Sequence, residues 1–239
     1  MEPNKELRKR ASRILDRSRG RWLTISAVSL TLGGVSLLAF SALQLSLLLI
    51  ANGLRSGLLD PVAGVMKYTY LFLALHLVLS VFVGSVVELG LDRIILLRLR
   101  GEDAEPGTLF YYRSVRWEAV LLRLFMSVRV TLWSLLLIIP GIAAILNYAM
   151  APFLLAQNPR MGAPQAIRVS KHLMRGYKKK LLGLFLSYAG ELLLSLLLLG
   201  VPLFWVMPRI KCAVAVFFRE RVRLHDEELQ QMQEQREEE

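Results

Sequence analysis

The sequence predicts an all-α, polytopic transmembrane bundle of six spans with both termini in the cytoplasm. Three observations predict it. The first is composition: 54% of the 239 residues are hydrophobic, against ~45–50% for a soluble domain, and the mean hydropathy is +0.45. The second is distribution. The excess sits in blocks such as Ile25–Ile50 and Leu181–Val206, and about 20 helical residues cross a ~30 Å hydrocarbon core. The third is the charge between blocks. Residues 1–21 carry eight Lys and Arg, Leu91–Glu118 five, 157–180 seven with no acidic residue, and 219–239 four. The intervening loops are nearly free of positive charge: 51–61 has Arg55 alone, and the turns at Pro140-Gly141 and Gly200-Val201-Pro202 have none. Cationic loops on one side of the bilayer are the positive-inside pattern.

Residues 1–21 form a basic leader, amphipathic over 4–19. Leu7, Ala11, Ile14 and Leu15 share a face at i, i+4, i+7 and i+8, and Lys5, Arg8, Lys9, Arg10, Arg13 and Arg17 dominate the rest. Such a helix either lies on an anionic leaflet or is a solvated leader that sets topology. The apolar run beginning at Trp22 is too long for a signal-peptide core and no cleavage site follows it, so it reads as an uncleaved first span.

The six-span domain covers residues 22–220, with spans near 22–50, 62–91, 120–139, 142–157, 181–199 and 203–218. Gly33, Gly34 and Ser36 in span 1 suit close helix contact. Gly101–Gly107 breaks the chain after span 2, Pro140-Gly141 turns it between spans 3 and 4, Asn158-Pro159 ends span 4, and Gly200-Val201-Pro202 turns it again. The acidic tail 221–239 reads as cytoplasmic, with Glu227–Glu239 a solvated or frayed helix. Leu132–Leu137 echoes Leu193–Leu198 at an offset of 61 residues, a weak sign of a parallel duplication.

Ionisable groups at membrane depth are costly, so they face protein and take a partner. Glu191 lies nine residues before Gly200 and Arg209 nine residues after it. Equal separation in an antiparallel hairpin means equal depth, so Glu191 and Arg209 form a candidate intramembrane ion pair, with Lys211 as the fallback partner. Glu88 in span 2 and Arg129 in span 3 form a second candidate polar pair. Asn147 and His76 are further intramembrane polar groups. These residues read either as an ion or substrate path or as pairs that fix helix register.

The connector 160–180 is the most basic. Pro164 can start a helix there and Gly176 can stop it, with Ile167, Lys171 and Met174 on one face. Arg168, Lys171, Arg175, Lys178, Lys179 and Lys180 are candidate contacts for anionic lipid head groups, at ~1 kcal/mol per basic group near such a leaflet. The same charge also suffices simply to hold the loop in the cytoplasm.

Several functions are excluded or unsupported. The formal net charge of +11 sits in short inter-span segments, which argues against nucleic acid as a partner. Cys212 stands alone, so no intrachain disulfide forms, and with His76, His172 and His225 it offers no metal spacing. The nucleophile elbow, the phosphate loop, the dinucleotide fingerprint and the zinc-hydrolase motif are all missing. The expectation is no catalytic residue, no cofactor, no metal and no enzyme.

Specific residues also carry a resemblance. They are Leu132-Trp133-Ser134-Leu135-Leu136 leading to Ile139-Pro140-Gly141-Ile142, then Tyr148–Leu155, Asn158-Pro159, Ala166-Ile167 and Ser170–Lys178, with Glu6–Trp22 in the leader. This run resembles a bacterial domain-of-unknown-function family, number 975, most specifically from Trp133 to Lys180. The resemblance implies a six-span protein of the bacterial cytoplasmic membrane. It also implies kinship with the membrane domain of some glycerophosphodiester phosphodiesterases, which brings no catalytic residues. The chain departs from the family where Glu191 replaces an aromatic near Gly190 and Arg209 replaces a Tyr after Pro208. The first functional reading is a non-enzymatic accessory or lipid-interacting scaffold. The alternatives are a small permease using the intramembrane charges and a lipid enzyme with an unrecognised site. Self-association or a membrane-protein partner stays open.

Overall fold

A computed structural model of the chain describes residues 3–16, 46, 49–50, 59–102, 105–198 and 202–238. Every regular element among them is helical. Most of the first span, the loop after it and the Gly200-Val201 step lie outside the described residues.

Helix α1, Asn4–Asp16, is the amphipathic leader. Its apolar face does not lie on lipid or water: Leu7 and Ala11 are fully buried within the main core. The helix packs along the last helix of the chain. Protein rather than a leaflet takes up the apolar stripe, and Lys5, Lys9 and Arg10 on the other face stay exposed.

Helix α2, Leu59–Leu79, is apolar all round, as a lipid-facing or deeply buried helix is. It runs without a break through a π-helical segment, Ser80–Gly84, into α3, Ser85–Leu99. A π segment inserts one residue into the helical register and re-aims every side chain beyond it. The two halves differ accordingly: Leu71 and Leu75 are 67% and 68% exposed, whereas Val87, Ile94 and Ile95 are fully buried. The chain then makes a 3-10 segment, Pro106–Val115, folded back tightly on α3.

Helices α4, Arg116–Leu136, and α5, Ile138–Tyr148, form an antiparallel hairpin. The turn is not at Pro140-Gly141. Leu137 is extended, with φ −162° and ψ 148°, and Pro140 sits in the first turn of α5, where a missing N–H costs nothing. Gly141 instead marks close approach, for an added Cβ would stand 2.9 Å from Ser134 Cα. A turn at Ala149-Met150 separates α5 from α6, Ala151–Gln157. It is held by Ser170, whose hydroxyl donates to the Asn147 carbonyl at 2.7 Å and accepts from Met150 N–H at 3.2 Å.

After a 3-10 turn, Pro159–Met161, helix α7 spans Ala163–Leu173. Its first N–H, on Ala163, donates to Glu118 Oε2 at 2.8 Å. Gly176, with φ +79°, takes the left-handed conformation that glycine adopts freely, and the next helix starts two residues later. The expected fifth span is two pieces, α8, Lys178–Leu186, and α9, Ala189–Leu197, with a break at Ser187-Tyr188. Helix α10, Leu203–Glu238, is continuous. The acidic tail is helical and continues the last helix to Glu238.

Among the described residues two helical stretches, Met66–Leu99 and Ile139–Gln157, are long and apolar enough to cross a membrane. The core gathers α3, α6, α7 and the middle of α10, and α3 passes closest to its neighbours at Gly90. A Cβ there would lie 2.6 Å from Leu109 Cα, so replacing Gly90 by Ala forces the 3-10 segment away. Gly90→Ala is expected to cost about 1–3 kcal/mol, the usual penalty of overpacking. Gly107→Ala, with open space at the Cβ position, should stay within about 0.5 kcal/mol of the parent. Thermal unfolding of the two purified variants separates these outcomes.

Candidate functional site: an ionic chain at a cavity

Among the described residues most charged side chains are on the surface, but four converge between helices. On α3, Ser85, Glu88, Leu89 and Asp92 share one face at i, i+3, i+4 and i+7. The π segment just before them sets that face toward α4 and α10. Arg123 Nη1 on α4 donates to Glu88 Oε2 at 3.2 Å. Lys211 Nζ on α10 donates to Asp92 Oδ1 at 3.3 Å and stands 4.0 Å from Glu88 Oε1. The result is a chain of alternating charge, Arg123–Glu88–Lys211–Asp92, with zero net charge. Asp92 is its most buried member, with 3% of its side chain exposed.

This chain lines a cavity of about 370 Å³, at the small end of the ~300–1,000 Å³ typical of ligand pockets. The remaining wall is almost wholly apolar, from Leu122, Met126, Val130, Phe153, Phe185 and Ile210 among others. The arrangement can hold a small, mostly apolar molecule and present hydrogen-bond donors to one end of it.

The expected polar pairs fall differently. Glu88 does not meet Arg129. Arg129 lies six residues beyond Arg123, or ~9 Å at 1.5 Å per residue, and its guanidinium stands over the Phe125 ring at 5.9 Å. Lys211 belongs to Asp92 and Glu88 rather than to Glu191. Glu191 lies 3.7 Å from Arg209, but its nearest cation is Arg8 of the leader, at 2.6 Å. Arg8 also donates to the Ser187 carbonyl at 2.5 Å and lies 4.2 Å over the Tyr188 ring. The leader thus closes over the break between α8 and α9, where helix carbonyls lose their partners.

The basic connector is on the surface. Arg168, Lys171, Arg175 and Lys179 are exposed, and Lys178 and Lys180 are half-buried. Lys171 Nζ rests 5.5 Å over the Tyr148 ring. The apolar residues beneath, Ile167 and Met174, are buried. Buried Arg221 clamps this connector from α10: its Nε donates to Leu173 O at 2.9 Å and its guanidinium covers Tyr177 at 4.2 Å. His172 and His225 meet there, ring centroids 5.6 Å apart, although 53 positions separate them in sequence. Nearby, Tyr112 is fully buried, donates to Ala156 O and accepts from Arg93 Nη1. Burial pushes its phenol above the usual value, against the pull of Arg93. His76 stacks beside Phe72.

Asp92 and Arg123 went unremarked in the sequence. Asp92 could have been found by its i+4 spacing from Glu88; Arg123 had no such signal, because its partner lies across a folded connector.

The geometry defines a class: an all-helical bundle with candidate membrane-crossing helices and a charge-lined cavity between helices. Within that class the chain belongs to the family described as "Protein of unknown function (DUF975)", whose model matches residues 62–224. No curated protein and no solved structure matches it.

Asp92 is held by Lys211 alone among the charges of the cluster. Lys211→Met strands a buried carboxylate and should destabilise the protein by about 3 kcal/mol. Asp92→Asn combined with Lys211→Met should recover most of that loss, since neither charge is left unpaired. Melting temperatures of the two single variants and the double variant form the test. Equal losses for Lys211→Met and the double variant would contradict the pairing.

Proposed function

We propose that this chain is a six-span integral protein of the bacterial cytoplasmic membrane, with both termini inside. On this reading it acts as a non-enzymatic, lipid-interacting accessory scaffold. The observation that carries the reading is the bundle's exterior. Leu135, Ile139 and Leu193 are 79%, 80% and 67% exposed, with Phe72, Trp133, Leu186 and Trp205 also outside. Soluble monomers rarely expose apolar patches beyond a few hundred Å², whereas hydrocarbon accepts such a belt.

The location of charge supports the same orientation. Arg219 reaches the Leu99 carbonyl, Arg221 reaches Leu173 and His225 lies beside His172. The C-terminal ends of α3 and α7 therefore meet α10 at one level. The exposed cations of the connector project from that level, as a cytoplasmic face in contact with anionic head groups would require. The kinship with the membrane domain of some glycerophosphodiester phosphodiesterases belongs to this reading. A second reading, a small permease, is favoured by the cavity reaching Glu88 between helices.

Sidedness and lipid contact are tested together. Cys212 is fully buried, so single cysteines can be added at Arg175, Gln230 and Leu198. A charged maleimide should label the first two only from the cytoplasmic side and the third only from outside. Changing Lys178, Lys179 and Lys180 together to Gln should reduce retained phosphatidylglycerol in native mass spectrometry, at ~1 kcal/mol per lysine, and leave phosphatidylcholine unchanged. Outside labelling at Arg175→Cys would overturn the orientation, and unchanged phosphatidylglycerol the lipid contact.

A further inference from the structure

The ionic chain leaves a specific resource unspent. A guanidinium has five N–H donors in a planar fork. Among the described residues Arg123 gives one of them, from Nη1, to Glu88, which leaves the Nε–Nη2 edge. Lys211 has three donors, of which one hydrogen-bonds Asp92. Both cations line the cavity, and opposite them the walls are aliphatic and aromatic. Two free donors on one guanidinium edge match the two oxygens of a carboxylate or phosphate.

We propose that the cavity is a binding site for a small anionic amphiphile. Its carboxylate or phosphate head lies on the Nε–Nη2 edge of Arg123 and on Lys211, and its alkyl chain lies along Leu122, Met126 and Phe153. The four charges cancel, so the site has no long-range pull on anions; recognition comes from donors at contact. Glu88 and Asp92 hold the two cations in position rather than touching the ligand. Their spacing on α3 depends on the π segment at Ser80–Gly84, a feature that often accompanies functional sites. The inference goes beyond the surface contact proposed above: it concerns a single molecule inside the bundle. It rests on the reading of the chain as a lipid-interacting membrane protein.

Photo-crosslinking of the purified full-length protein in a neutral detergent tests it. The probes are decanoic acid, decyl phosphate and decanol, each with a terminal diazirine, and adducts are mapped by mass spectrometry. The acid or the phosphate should give saturable adducts on peptides containing Met126 and Phe153, competed by unlabelled decanoate. Inorganic phosphate as competitor distinguishes a free anion from an amphiphile head: competition at concentrations equal to those of decanoate would overturn the need for the chain. Arg123→Gln with Glu88→Gln removes the pair together and leaves no lone charge, so the fold should survive. Half-saturation should then rise by about tenfold or more, the scale of one lost charge-assisted hydrogen bond. Met126→Trp fills the cavity without touching the charges and should abolish the saturable adducts.

Equal saturable labelling by decanol would overturn head-group recognition. Adducts confined to exposed residues such as Leu135 and Leu193, or adducts undiminished in Met126→Trp, would overturn the site. Either failure would leave the sidedness labelling of Arg175→Cys and Leu198→Cys as it was, so the site and the membrane orientation fail separately.

Discussion

On the membrane reading proposed above, one constraint governs the rest: the exposed leucines and isoleucines of the bundle face hydrocarbon, and the few charges between helices must find one another. Each consequence in the structure follows from it. Shielded in part from water, ionic groups between helices require protein partners, and four such groups from three helices condense into one neutral chain. Helix carbonyls freed at breaks require donors: Ser170 attends to the break at Ala149-Met150, and Arg8 to the one at Ser187-Tyr188. Contacts such as Gly90 on Leu109 and Gly141 on Ser134 are made where a side chain is missing, the kind of close approach on which helices packing in hydrocarbon depend.

The ionic chain also explains why three separate segments adopt a single register. Glu88 and Asp92 are one turn apart on α3, and Lys211 touches both. Arg123 completes the line from α4. Sliding α3 by a turn, ~5.4 Å, would separate every pair at once, and sliding α4 or α10 would break the pairs that helix makes, leaving charges stranded at several kcal/mol each. The π segment upstream allows α2 to present an apolar surface all round while α3, in the same continuous helix, turns its carboxylates inward. A neutral chain of charges beside an apolar cavity is at once a register device and a set of donors waiting at a wall.

Much of this was legible in the sequence and some was not, for physical reasons. Helix content followed from apolar block length, and the break before α7 from Asn158 and Pro159. The symmetric offsets of Glu191 and Arg209 about Gly200 put them at one level, and they stand 3.7 Å apart. What counting could not supply was a partner from far along the chain: Arg8 lies 183 residues from Glu191 and is closer to it than Arg209 is. The depth argument for Glu88 and Arg129 failed because the connector folds back as a 3-10 segment. That brings the second turn of α4, not its middle, level with Glu88. Pro140-Gly141 looked like a turn because both residues break helices, yet a proline in a first turn is harmless and the glycine serves contact. The leader's amphipathicity was plain, but a helix face does not say whether lipid or protein covers it.

The central claim is that hydrocarbon covers the outward leucines and isoleucines of the bundle. Spin labels attached at Leu135→Cys and Leu193→Cys in bilayer-reconstituted protein measure this directly, through relaxation by oxygen and by a water-soluble nickel complex. High oxygen and low nickel accessibility at both positions, with the reverse at Arg175→Cys, is the expected result. Nickel accessibility at Leu135→Cys and Leu193→Cys equal to that at Arg175→Cys would contradict it.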